Sequence, residues 1–480
     1  MIKKTLAPLL TLGSSLILAQ PVIAQPPAAL DYQVSAAKGP YFLCDTRVTE
    51  DRWLLDRVSP PFKKHPSNPL MVREFEWEGT GLWPAAVRYD TEHGLFRMWY
   101  GVWYKERYFG KTPFAYNIAY AESKDGIKWT RPALGVFDRL PEDPRNNLIK
   151  LGREKTQGID VELNPKPGVI PGRFVALHNE AGGLRISTSD DGKTFTWLHE
   201  EPTLPYHSDT ANNLVYDEVR DRWLVFCRPR AYAGDHKRRV SVQESKDLKN
   251  WTHDRTILVP DEDEVQEYYG MTAFRRGDLF FGLLQVFDRA TGLMHAELAW
   301  SDDGYAWHQI GDHPQVLGIG GKGEWDENMV VPGEGPVMVG DEMWFYYAGA
   351  KEPHLLADQI PAAGLAIAPR DQLVGLRPRN GETGYALTRP FFKPEAGDLV
   401  VNTTIDEAEG AISVELRNDF GEPIPGFTAE DCDPVVAGGL AVPVRWKGRS
   451  LSDVPENEIR LRFTVKGATL FTYDLVSPGR

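Results

Sequence analysis

Ser123-Lys124-Asp125-Gly126-Ile127-Lys128-Trp129-Thr130 returns three times further along the chain. The copies are Ser189-Asp190-Asp191-Gly192-Lys193-Thr194-Phe195-Thr196, Ser245-Lys246-Asp247-Leu248-Lys249-Asn250-Trp251-Thr252 and Ser301-Asp302-Asp303-Gly304-Tyr305-Ala306-Trp307-His308. Their serines stand 66, 56 and 56 residues apart. A recurrence of this length marks a repeat architecture and outranks local propensity. Each copy ends a run such as Ala119-Tyr120-Ala121, so it reads as a strand entering a tight Asp/Gly turn that an aromatic residue closes by packing back.

Between copies lies a second hairpin with a strongly aromatic return strand: Phe96-Arg97-Met98-Trp99-Tyr100, then Trp223-Leu224-Val225-Phe226, then Met343-Trp344-Phe345-Tyr346-Tyr347. Two hairpins make four strands, and a repeating four-stranded unit is a propeller blade. Counting inner hairpins gives five blades, the last closing through a divergent hairpin at 364–367 and 371–376. After Pro390 the pattern becomes plain alternation, with Ile412, Val414 and Leu416 and again Ile459, Leu461, Phe463 and Val465 on one face. The expected fold class is therefore all-β: a five-bladed β-propeller over 40–390, a linker at 393–397, and a small C-terminal β-sandwich over 395–480.

At the start, Lys3 and Lys4 precede an apolar run at 6–19, with Val22-Ile23-Ala24 as a small-residue cleavage site. Residues 1–24 read as a secretory signal peptide, which implies a secreted or periplasmic protein with no membrane insertion after its removal. The formal net charge of −14 works against nucleic acid and anionic lipid as partners. With only 3 cysteines, at most one disulfide can form, and the expectation is three buried thiols.

The repeated Ser-x-Asp-Gly-x-x-Trp hairpins and the blade starts resemble those of the glycoside hydrolase superfamily that contains families 32, 43, 62, 68, 117 and 130, over roughly residues 68–376. The stretch from Gly421-Glu422-Pro423-Ile424-Pro425 and the strand Arg460-Leu461-Arg462-Phe463 look like the β-sandwich appended to many exported bacterial propellers of that sort. The resemblance implies an enzyme acting on a carbohydrate at one end of the channel. One departure stands out: characterised families usually open blade one with an Asp, where this chain has Gly81-Leu82-Trp83-Pro84.

In a propeller the innermost strands start around one end of a shared channel, so acids at those starts converge. They are Glu78, Asp160, Asp209 and Glu267 for the first four blades, and Asp326, Glu327 and Glu334 for the fifth. Glycosidic hydrolysis needs one carboxylic acid to protonate the leaving oxygen and one carboxylate to activate water or attack carbon. Glu78, Asp160, Asp209 and Glu267 are the expected catalytic set. Asp125, Asp191, Asp247 and Asp303 recur in every copy of the turn and read as structural.

Sugar recognition calls for flat aromatic faces and forked donors. Trp83, Trp103, Tyr269 and Trp325 supply the first, Arg228 and Arg230 the second, and His207 and His354 complete the expected binding set with Asp326, Glu327 and Glu334. No His/Cys spacing matches a zinc site, so no metal or cofactor is expected beyond a single structural cation that channel carboxylates could hold. The reading is an exo-acting, inverting hydrolase of plant or algal oligosaccharides. Two alternatives accompany it: a noncatalytic glycan-binding propeller, and a glycoside phosphorylase with phosphate held by Arg228, Arg230, Arg238 and Arg239. The sequence leaves the oligomeric state open.

Overall fold

The repeat turn is where the architecture is decided. In each copy the Asp Oδ1 accepts two successive backbone N–H groups, from Ile127 and Lys128 (2.9 and 2.8 Å) in the first and from Tyr305 and Ala306 (2.7 and 2.8 Å) in the fourth. The Ser Oγ accepts the N–H of Gly126, Gly192 or Gly304 at 2.9 Å. These bonds hold a reversal whose third residue has positive φ; in the third copy a buried Leu248 adopts it at 61°.

The computed structural model describes residues 39–476, apart from 138–142, 153–155, 210, 233, 262–265, 356–357 and 395–396. The expected signal peptide and the middle of the expected linker lie outside the described residues. One α-helix, Lys105–Phe109, stands among strands. No helix among the described residues is long and apolar enough to cross a membrane. Cys44, Cys227 and Cys432 are buried free thiols, as expected.

Five units of antiparallel strands follow in chain order, the fourth and fifth joined by a parallel Met294–Met329 bridge into one ten-stranded sheet. Unit one is Leu82–Asp90, Leu95–Trp103 and Tyr116–Ser123. Unit two is Gln157–Leu163, Phe174–Glu180, Gly183–Ser189 and Thr196–Trp197; unit three is Asn213–Asp217, Arg222–Cys227, Val240–Ser245 and Arg255–Leu258. Unit four is Gln266–Arg276, Leu279–Asp288 and Met294–Ser301 with Trp307–Gln309 on its edge, and unit five is Met329–Pro332, Glu342–Ala350 and Ala362–Pro369. The outer strand of unit five is Lys63–Lys64, taken from the N-terminal side of the chain; 371–376, expected there, leaves for another sheet.

Each repeat turn latches its unit onto the preceding one. The Tyr346 hydroxyl of unit five donates to Gly126 O of unit one at 2.9 Å, and Trp99 Nε1 of unit one to Gly192 O of unit two at 2.7 Å. Leu248 packs into unit two's cluster with Leu177 and Ile186, while Arg220 and Arg222 of unit three donate to the carbonyls of Asp302 and Asp303. Arg276 of unit four pairs with Asp371 beyond unit five at 2.9 Å. The latches close a ring: the inner strands of units one to four pack side by side, and Glu342–Ala350 of unit five packs on the inner strand of unit one.

Two further sheets enclose a core of Leu399, Val401, Ile412, Val414, Leu461, Phe463, Leu470 and Trp446. They draw strands from both sides of the boundary expected near 390–395. Leu55–Val58 and Gly375–Pro378 join the sheet of Ala468–Val476, and Thr49–Trp53 and Thr383–Thr388 join that of Glu458–Lys466. Alternation shows that a segment is half-buried; it does not say which sheet will complete it.

Candidate active site

The loop before unit three carries the first candidate carboxylate. Ser208 anchors it: its carbonyl accepts from Asn179 and Asn212 at 3.0 and 3.1 Å, and its hydroxyl accepts from the Arg228 N–H at 3.1 Å. This presents Asp209 to a cavity of about 430 Å³ at the ends of the inner strands. Asp209 accepts from Gln157 Nε2 at 2.6 Å and pairs with Arg228 at 2.9 Å, its side chain 36% exposed. Burial works against its charge, but the Arg228 guanidinium, the Gln157 amide and His207 outweigh it and hold its carboxyl below the usual range.

Glu334 enters the same cavity from the end of Met329–Pro332. Its Oε2 accepts from Asn213 Nδ2 at 2.6 Å. The same amide nitrogen donates to Asp160 Oδ2 at 3.1 Å, and Leu214 N donates to that oxygen at 2.7 Å. Arg88 reaches Asp160 at 3.3 Å and Glu162 at 2.5 Å. Burial, then the Asp160 carboxylate, pushes Glu334 well above the usual carboxylate range despite Arg88. Burial and Glu162 likewise raise Asp160, to about 7. The cavity is thus lined by one carboxyl whose surroundings favour the ionised form and one whose surroundings favour the protonated form.

Trp83, Trp103, Tyr269 and His354 line it as well. His354 sits edge-on to Tyr269, 4.8 Å between ring centres, and burial followed by Arg238 lowers its imidazole to about 4, so it is neutral at neutral pH. Tyr108 and Phe109 extend the aromatic wall from the helix Lys105–Phe109.

Several expected site residues are placed elsewhere. Glu78 is fully buried, bonded to Tyr100 Oη at 2.8 Å, Arg131 Nε at 2.6 Å and the Glu74 N–H at 2.7 Å, and does not line the cavity; it anchors the entry to unit one and is corrected from catalytic to structural. Asp160 is fully buried and acts on Glu334 from behind, so it cannot meet substrate directly. Glu267 is also fully buried, accepting from Arg238 Nη1 at 2.8 Å with Arg289 Nε at 3.1 Å, and it positions Arg238, which does line the cavity. Glu78 ends a 3-10 turn ahead of Leu82–Asp90, Asp160 lies in the middle of Gln157–Leu163 and Glu267 is second in Gln266–Arg276, and each turns onto an arginine: Arg131, Arg88 and Arg238.

Asp326 pairs with Lys64 at 2.6 Å and with Tyr347 Oη at 2.9 Å, which fastens the closing strand of unit five. Trp325 stacks on Tyr347, Glu327 accepts from Gly323 N at 2.8 Å, and Arg230 lies over the Tyr206 ring; none of the four lines the cavity. Arg228 and His207 stand beside Asp209 and not on the cavity wall. Gln157, Asn212, Thr272 and Gln285 line it without having been singled out for binding. A lone Gln in the otherwise apolar run Leu279-Phe280-Phe281-Gly282-Leu283-Leu284-Gln285-Val286-Phe287 was the signal for one of them. Among the described residues the one group of three candidate metal ligands, Asp90, Glu92 and His93, is off the cavity and faced by Arg97 and Arg173.

No protein-family description and no curated protein matches the chain. Solved structures are similar at low identity. An N-acetylgalactosamine deacetylase from F. plautii, solved with blood group B trisaccharide, is 17% identical, the match covering 67% of this chain and 97% of the other with a TM-score of 0.44. A structure from the GH130 family of mannoside phosphorylases, which contains glycoside hydrolases that target beta-1,2 mannosidic linkages in Candida mannan, is 15% identical over 66% and 97%, TM-score 0.46. The catalytic domain of a Coprinopsis cinerea GH62 alpha-L-arabinofuranosidase is 11% identical over 65% and 98%, TM-score 0.45.

Proposed function

We propose that the chain is an exported hydrolase of glycosidic bonds, exo-acting on oligosaccharides of plant or algal origin, with Glu334 as proton donor and Asp209 as base. One observation carries this reading. Two carboxyl groups lie on one cavity, and their surroundings drive their proton affinities in opposite directions, which is how acid and base roles are divided.

The protonated Glu334 gives its proton to the glycosidic oxygen as the bond from that oxygen to the anomeric carbon breaks. Asp209 takes a proton from a water whose oxygen bonds to the same carbon, and the net result is one sugar hemiacetal and one alcohol. Asn213 fixes the Glu334 carboxyl, and Arg228 keeps Asp209 ionised. The two acids come from units three and five, which favours a water between them and hence inversion. Proton NMR of the first-formed anomer tests that step, with retention counting against it.

Arg228 and Arg238 each already face a carboxylate, so phosphate finds no unpaired guanidinium there, and the reading favours water over phosphate as acceptor. The rate is expected to be independent of added phosphate. Turnover of hydrolysates of plant and algal polysaccharides tests the whole reading: binding without cleavage by the wild type would replace it with a glycan-binding role.

A further inference from the structure

Buried side-chain amides and hydroxyls in folded proteins are almost always hydrogen-bonded, because an unmade bond leaves the desolvation cost uncompensated. Among the described residues that line the cavity, Trp103, Asn212, Thr272 and Gln285 each carry a buried polar atom without a partner, and the last three are carbonyl or hydroxyl oxygens. Gln285, 1% exposed, makes no side-chain hydrogen bond, and its Oε1 is buried without a partner. Thr272 Oγ1, on a residue also 1% exposed, is in the same condition, and so is Asn212 Oδ1, whose Nδ2 is committed to Ser208. All three residues line the cavity that holds Asp209 and Glu334.

The backbone keeps room for an occupant beside them. Gln285 pairs across the sheet with Gly270, next to an irregularity in register between Tyr268 and Gly270. A Cβ on Gly270 would lie 2.3 Å from Ala211 Cβ and 3.4 Å from Gln285 Oε1, so glycine is the residue that leaves this space open. Three uncommitted groups from two units, offering carboxamide and hydroxyl chemistry and no charge, match adjacent hydroxyls. The cations near them are already satisfied: Arg228 by Asp209, Arg238 by Glu267.

We propose that Gln285, Thr272 and Asn212 form the hydroxyl-reading wall of the sugar subsite, and that this wall selects a neutral sugar unit with adjacent free hydroxyls over a uronic acid or a sulfated sugar. The inference rests on the glycan reading above and names the substrate class for it. Gln285 spans two hydroxyls through its carbonyl and its NH2, and Thr272 and Asn212 complete the pattern. A site built to hydrogen-bond a hydroxyl rejects an analogue lacking it by far more than an apolar pocket can.

The test measures binding by calorimetry and turnover by product analysis, using oligosaccharides from xylan, mannan and arabinan as neutral probes and oligogalacturonides and carrageenan oligosaccharides as charged ones. The wild type is expected to bind and cleave a neutral probe. Gln285→Leu and Thr272→Val are expected to weaken that binding by about 10- to 100-fold while the thermal midpoint holds or rises, since each replaces an unpartnered polar group by an apolar one of similar size. Gln285→Met serves as a second variant should the branched side chain fail to fold. Preference for a charged probe would overturn the inference and leave the hydrolase reading standing. Neutral binding that depends on Gln285 but brings no cleavage would do the reverse. Unchanged affinity in the variants, a fall in thermal midpoint in both Gln285 variants, or no binding of any neutral probe would overturn it.

Discussion

Asp303 and Glu334 are 31 positions apart, and they show what a carboxyl group becomes at the two kinds of place this ring provides. At the repeat turn, burial of Asp303 is outweighed by the N–H groups of Ala306 and Tyr305 and the Ser301 hydroxyl, which hold it ionised below the usual range. At the cavity, Glu334 has one amide donor, a second carboxylate beneath it and little water, and it keeps its proton. A position that recurs from unit to unit faces the same local backbone each time and fastens. A position that occurs once, where the inner strands end, faces whatever the other units bring to it.

The comparison can be broken most sharply at Glu334. Glu334→Gln keeps an oxygen for Asn213 and removes the transferable proton, so kcat on a natural oligosaccharide is expected to fall by about 10²–10⁴-fold. Aryl glycosides with acidic leaving groups, which need less protonation, are expected to fall much less. An equal loss on both would place Glu334 outside proton transfer.

Next in size is the latch. Gly192 has φ +73°, and a Cβ there would lie 2.9 Å from Trp99 Cζ2 of the neighbouring unit. Gly192→Val is expected to cost about 3 kcal/mol in chemical denaturation, combining backbone strain with overpacking between units. A loss under half of that would mean the units shift apart easily and the ring is less tightly closed than described.

Asp160→Asn sharpens the cavity half. The Asp160 carboxylate is one reason Glu334 holds its proton, with Glu162 acting the same way and Arg88 against them. Removing that charge is expected to move the alkaline limb of the pH–rate profile to lower pH by about one unit. A limb that stays or rises would show that burial alone sets it.

The smallest effect belongs to the turn. Asp303→Ala removes the acceptor of two backbone N–H groups and is expected to destabilise by about 1 kcal/mol at neutral pH. Because the folded-state pKa is depressed, this contribution is present above the unfolded value of about 4 and is lost as pH falls through the folded one. Melting curves of wild type and variant are therefore expected to converge on acidification.

The repeat turn was readable because its hydrogen bonds are local: Ser, Asp and Gly at fixed offsets satisfy one another within six residues wherever the chain places them. The ring followed from counting the inner hairpins that lie between such turns. Lys63–Lys64 was not readable as the closing strand of unit five, since two lysines show no alternation and the pairing spans some three hundred residues. The sandwich's borrowed strands at 49–58 and 375–388 failed for a related reason, because their partners lie at the far end of the chain. At the cavity, strand starts marked Asp209 and Glu334, and both line it. They marked Glu78 and Glu267 too, and only the arginines brought by the fold separate an acid that faces the cavity from one committed to an ion pair. Gln285 and Thr272 were hidden inside apolar strands, where an unpaired polar group is visible only once its missing partners can be counted.

The central claim is that one cavity holds an ionised Asp209 and a protonated Glu334. Its most direct test is the pH dependence of kcat/KM for the wild type, Asp209→Asn and Glu334→Gln. The account predicts a bell for the wild type, with activity lost on acidification as Asp209 takes up a proton and on alkalinisation as Glu334 loses one. The residual activity of Asp209→Asn should lack the acidic limb and that of Glu334→Gln the alkaline limb. Both limbs surviving in both variants would contradict it.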